Sequence, residues 1–130
     1  MLLAVCESQG IQSDLIPRIA TGFCGGLSRT CGICGAVSGA IMALNLFTGR
    51  VAPKDSVIES YTTAGKMIET FAGSFGSTNC KDLTGVDLGT EEGQKKFKEE
   101  NIRERCKGYT GEATRMAMVL IEDKLKNRGS

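Results

Sequence analysis

Histidine and tryptophan are absent from the 130 residues, proline occurs twice, and aromatic residues make up 5% of the chain. Without histidine, hydrolases built on a Ser-His or Cys-His pair are excluded, as is metal ligation by imidazole. Acid-base or metal chemistry would therefore fall to thiols and carboxylates. Net charge is nearly absent as well: 16 basic residues against 15 acidic ones leave a formal +1. No overall field draws the chain to nucleic acid or to an anionic membrane. The apolar stretch from Ile33 to Phe47 is interrupted by Ser38, Asn45 and glycines, and it falls short of the roughly 18 residues that would suggest a membrane span. The opening MLLAVCES has no basic flank, and its apolar run stops at Glu7, too early for a secretory core of roughly 7 to 15 residues. Leu3-Ala4-Val5-Cys6 would pass for a lipoprotein box only behind an upstream segment.

What the chain does have is cysteine: Cys6, Cys24, Cys31, Cys34, Cys80 and Cys106. The expected compartment is a reducing cytoplasm, where grouped cysteines are more often redox-active or metal-binding than structural. The length and the 41% hydrophobic content suit one globular domain over 1–130 that buries roughly two-thirds of its unfolded surface.

The patterning predicts an all-α fold, a single-domain bundle of about five to six helices around a buried Gly/Ala-rich one. Residues Leu2 to Ser8 have the composition of a short helix stopped by Gly10. Ser13 is the expected cap of a second helix with Pro17 in its first turn, ending near Thr21. GFCGGLSRTCG then reads as a flexible turn. In the central helix, Gly35, Gly39 and Ala43 recur every four residues, letting a neighbouring backbone come close. Ser56 and Glu59 read as a capping box for a helix whose apolar side is Ile58, Tyr61, Ala64, Ile68, Phe71 and Phe75. Thr90 opens a charged helix, EEGQKKFKEENIRER, that docks shallowly through Phe97 and Ile102. A last helix from about Thr110 to Lys126 turns Ala113, Met116, Ala117, Leu120 and Ile121 inward. Met116 and Met118 belong to the core rather than to a copper site. The final Gly129-Ser130 has the composition of an appended tail.

Cys31 and Cys34 form a Cys-x-x-Cys pair at the mouth of the central helix, near Arg29. That position predicts a low-pKa thiolate, because unpaired N–H groups and the positive end of the dipole favour the anion. A thioredoxin reading lacks the alternation of strands and helices it requires, and a zinc ribbon lacks a second close pair. Cys80 and Cys106 lie in polar contexts near helix ends, unlike an inert buried cysteine. Cys6 fits that inert role, and Cys24 is open.

The segments ATGFCGGLSR, CGAVSGAIMAL, FGSTNCKDLTGVDL and the late CKGY make the chain resemble, over nearly its whole length, the small redox-active proteins named for a spaced C-GCAxxG-C-C pattern. The resemblance places the family's core cysteines at Cys34, Cys80 and Cys106. The family's leading cysteine has no counterpart here, so the N-terminus is truncated, the start is misassigned, or Cys31 substitutes for it. The resemblance implies redox activity, with transporters in the gene neighbourhood and, in related domains, an iron-sulfur cluster. A Cys-x-x-Cys-His haem site cannot exist without histidine.

Three functions follow as expectations. One is electron transfer through an iron-sulfur cluster on Cys34, Cys80, Cys106 and either Cys31 or Cys24. Another is thiol-disulfide exchange with a redox partner protein or a small-molecule thiol, using Cys31 with Cys34, or Cys34 with Cys80 or Cys106. The third is a non-catalytic metal-binding or interaction module, with a homo-oligomer left open and no nucleic acid or membrane insertion.

Overall fold

The computed structural model describes residues 1–129; Ser130, half of the terminal Gly-Ser pair, lies outside them. Among the described residues the fold is all-α, with seven right-handed helices, slightly more than expected because short segments flank the long ones. They are α1 (Leu2–Ser8), α2 (Leu15–Ala20), α4 (Gly35–Thr48), α5 (Ile58–Phe75), α6 (Cys80–Thr84), α7 (Glu91–Glu99) and α8 (Arg103–Gly129). One more turn, α3 (Cys24–Arg29), winds the other way.

The centre is α4, which packs chiefly on α8 and α5, with α1 crossing it. Ala36, Val37, Ala40, Ala43 and Leu44 are buried there against Met67 and Phe71 of α5 and Ala113, Met116, Ala117 and Ile121 of α8. The small-residue stripe acts as the sequence predicts. A Cβ at Gly39 would meet Met1 Cβ at 3.4 Å, and one at Gly35 would meet the Cys24 Cα at 3.3 Å. No helix among the described residues is long and apolar enough to cross a membrane.

Four local expectations are corrected. Asp14 rather than Ser13 precedes α2, although the Ser13 hydroxyl still accepts the Leu15 N–H at 3.2 Å. In α5 the core face is Thr63, Met67 and Phe71, while Ile58 and Tyr61 are 69% and 70% exposed. Glu59 does not close a capping box; it pairs with Lys124 and Arg128 of α8, which ties the ends of the two long helices together. The charged helix stops at Glu99, because Asn101 takes a left-handed φ of 53° and Ile102 turns into the core at 3% exposure. Asparagine tolerates that conformation better than most residues. The last helix consequently starts at Arg103, carrying Cys106 inside it rather than in a loop before it.

The predicted flexible turn is also ordered. Gly25, Gly26, Leu27, Ser28 and Arg29 all have φ between 57° and 69°, a left-handed turn that costs non-glycine residues about 1–2 kcal/mol each. Hydroxyls offset part of that cost: Ser28 Oγ donates to the Gly22 carbonyl at 2.7 Å, and Thr30 Oγ1 donates to Leu27 at 2.9 Å.

Candidate functional site

The cysteines are placed mainly by backbone. Cys34 is the N-cap of α4, and Cys80 is the first residue of α6, behind the cap Asn79. An antiparallel bridge between Ile33 and Asn79 joins the two approaches. Across it the Cys34 N–H donates to Thr78 at 2.7 Å and the Cys80 N–H to Gly32 at 2.9 Å. Asn79 fixes the register: its Oδ1 accepts the Lys81 N–H, and its Nδ2 donates to the Cys31 carbonyl at 2.6 Å. The left-handed turn presses on the same place. Gly26 has φ +62°, and a Cβ there would lie 2.5 Å from Cys80 Cβ, so only glycine fits.

The result is one cavity of about 280 Å³ lined by Cys24, Cys34, Cys80 and Cys106, with Leu83 and Tyr109 among its other walls. Cys80 is buried, Cys34 and Cys106 are half-buried, and Cys24 is exposed at the rim. On the α8 side the Tyr109 hydroxyl and the Arg105 guanidinium donate to the Leu83 carbonyl at 2.9 and 3.3 Å, tying α6 to the helix that carries Cys106. The Tyr109 ring stands edge-on to Phe75 at 4.9 Å and Phe71 at 6.1 Å.

Two of the cavity thiols are held above their usual range, and so is Cys31, against the expectation of an acidic thiol there. Burial pushes the Cys80 thiol up, the charge on Cys34 adds to the rise, and a hydrogen bond with Thr84 works the other way. Burial likewise raises Cys106, followed by the charges on Cys34 and Cys80, with Arg105 opposing. Cys80 and Cys106 are thus near enough to the other cavity sulfurs to have their ionisation opposed. At neutral pH Cys80 and Cys106 stay protonated.

Cys31 does not line the cavity. Its backbone is left-handed at φ 59°, outside α4, and its thiol meets the Asp87 carboxylate. Asp87 accepts that hydrogen bond and keeps Cys31 protonated, while the thiol and the Gly89 N–H hold the carboxyl below its usual range. The Cys31-Cys34 pair therefore does not form one helix-mouth unit. Cys6 sits in the core at 1% exposure.

The sequence reading missed Asn79, Tyr109, Thr84 and Gly26. Asn79 directly before a short helix was a readable cap signal. Tyr109, one helical turn from Cys106, would have been visible only with α8 extended back to Arg103.

An iron-sulfur cluster fits the donor set in kind, since four thiols line the cavity. It does not fit in placement: no group of three or more Cys, Asp or Glu among the described residues comes together so as to hold a metal ion.

A family model described as "Putative redox-active protein (C_GCAxxG_C_C)" matches residues 1–120. Comparison with curated proteins and with solved structures gives no match.

Proposed function

The chain belongs to the redox-active C_GCAxxG_C_C family, and from that premise we propose that it performs thiol-disulfide exchange at the four-cysteine cavity. The observation that carries the reading is the lining of one 280 Å³ space by Cys24, Cys34, Cys80 and Cys106, drawn from four separate stretches of sequence. Two of these thiols are oxidised to one disulfide, losing two electrons and two protons. A disulfide on a partner protein, or the disulfide form of a small-molecule thiol, takes them up and becomes two thiols. Exposed Cys24 is the entry sulfur. Cys34, which lines the cavity beside both Cys80 and Cys106, is the internal sulfur that the others pair with.

The raised Cys80 and Cys106 thiols are weak nucleophiles until deprotonated but strong reductants once a neighbour has been attacked, which suits resolving rather than attacking roles. Cys31 and Cys6 take no part.

The test is to equilibrate the protein across a series of defined redox potentials, trap free thiols and map them by mass spectrometry. Two of the four cavity cysteines should leave the thiol pool together, with Cys6 still free. Cavity thiols that never pair would refute the reading. So would reconstitution with iron and sulfide, without oxygen, into a stably coloured protein, which would assign the cavity to a cluster instead.

A further inference from the structure

Next to the thiol cavity lies a second, wider one of about 1000 Å³, and Cys24 belongs to the walls of both. Arg29, Lys95, Lys98 and Arg103 line it, and no acidic side chain does. That concentration is local, because the whole chain carries only +1. Lys95 reaches the exposed Glu99 at 3.8 Å, a contact worth little in water. Among the described residues, Arg29, Lys98 and Arg103 make no ion pair or side-chain hydrogen bond. Phe97 and Leu88 give the groove an apolar wall shared with the thiol cavity.

The backbone is bent to build this face. Arg29 stands at φ 69°, the end of the left-handed turn that begins at Cys24, and Asn101 at φ 53° breaks the charged helix so that Arg103 starts the next one. Both departures carry a conformational cost, and both bring cations toward one sulfur.

We propose that this groove binds a small disulfide whose halves carry several negative charges, and delivers its S–S bond to Cys24. The inference rests on the thiol-exchange reading and names its substrate class. The Cys24 thiolate attacks one sulfur of RS–SR; that bond breaks, RS⁻ leaves and takes up a proton, and a Cys24–S–S–R mixed disulfide forms. A cavity thiol, losing its proton, then attacks the Cys24 sulfur and expels the second RS⁻, which is protonated in turn. The balance is one RS–SR and two protein thiols giving two RSH and one protein disulfide. The anionic groups are carboxylates or phosphates, either of which suits guanidinium and ammonium partners.

The reduced protein is assayed with glutathione disulfide (carboxylates), coenzyme A disulfide (phosphates), hydroxyethyl disulfide (neutral) and cystamine (cationic). An R29Q/K98Q/R103Q variant is assayed in parallel. The expected order in kcat/KM is anionic, then neutral, then cationic, with at least a tenfold loss for the anionic substrates in the variant and less than twofold for the neutral one. The better of the two anionic disulfides identifies the anion source. Equal rates for anionic and neutral disulfides would overturn the groove assignment while leaving thiol exchange standing. A non-reactive probe, glutathione sulfonate, separates binding from chemistry. Calorimetry should find it on the wild type and not on the variant, even if no disulfide reacts. Failure to bind, or displacement only by polyglutamate, would overturn the assignment, the latter by giving the groove to an acidic protein surface.

Discussion

Replacing Gly26 by alanine tests how the left-handed turn and the thiol cavity depend on each other. Gly25 and Gly26 share the same φ of +62°, so alanine at either incurs the same left-handed cost of about 1–2 kcal/mol. Their surroundings differ. A Cβ at Gly25 meets only the flexible Arg29 Cγ at 3.5 Å, whereas one at Gly26 would run into Cys80 at 2.5 Å and the Gly32 carbonyl at 3.2 Å. Gly32 is the residue that accepts the Cys80 N–H, so neither obstacle moves without disturbing the bridge. Overpacking of that kind costs about 1–3 kcal/mol. The expectation is that Gly26→Ala is less stable than Gly25→Ala by that second amount, roughly 4 °C in Tm for each kcal/mol in a chain of this length. Urea melts of the reduced proteins, together with Cys80 alkylation rates, read both consequences. Equal stability of the two variants, with Cys80 alkylated at the wild-type rate, would refute the claim that the turn seats the sulfur.

Four further outcomes follow. Because burial and neighbouring charge raise Cys80 and Cys106, their alkylation should accelerate by roughly tenfold per pH unit above neutrality, until each raised pKa is reached. The same shifts stabilise the fold fully below the unfolded thiol value of 9.0 and lose that contribution as pH climbs through the higher folded values; denaturant midpoints at pH 8 and pH 10 check the sign. Asp87→Asn removes the carboxylate that keeps Cys31 protonated while retaining an acceptor for Gly89, so iodoacetamide should label Cys31 faster at pH 8, with Cys80 and Cys106 unchanged. Phe71→Ala, at a fully buried position whose ring is tilted against Phe75 at 4.8 Å, should cost about 3–5 kcal/mol by calorimetry.

The sequence was most readable where periodicity and small residues act together. The glycine-alanine face of α4 announced a buried central helix, and Ala113, Met116, Ala117 and Ile121 announced its partner on α8. It was least readable where single backbone angles decide the path. Nothing in LSR foretells three consecutive left-handed residues, since their side-chain hydrogen bonds run back to Gly22 and forward to Thr30. The break at Asn101 carries no glycine or proline. In α5, Ile58 and Tyr61 fit a helical stripe as well as Met67 does, and only the positions of α4 and α8 decide which stripe is covered. The site was half legible. Cys34, Cys80 and Cys106 were singled out together, but the inclusion of Cys24 and the exclusion of Cys31 depend on the turn between them. The Cys-x-x-Cys spacing favoured Cys31, which lies outside the helix and does not line the cavity.

The bridge between Ile33 and Asn79 has a consequence for making the protein. It couples segments so far apart, 48 positions between Asn79 and Cys31, that sulfurs on either side meet late during chain collapse. Until then six thiols can combine in 15 fully paired ways, nearly all of them dead ends. Material recovered under air from denaturant should therefore be a mixture of scrambled isomers, and a reductant held in place until the bridge closes should yield a single species.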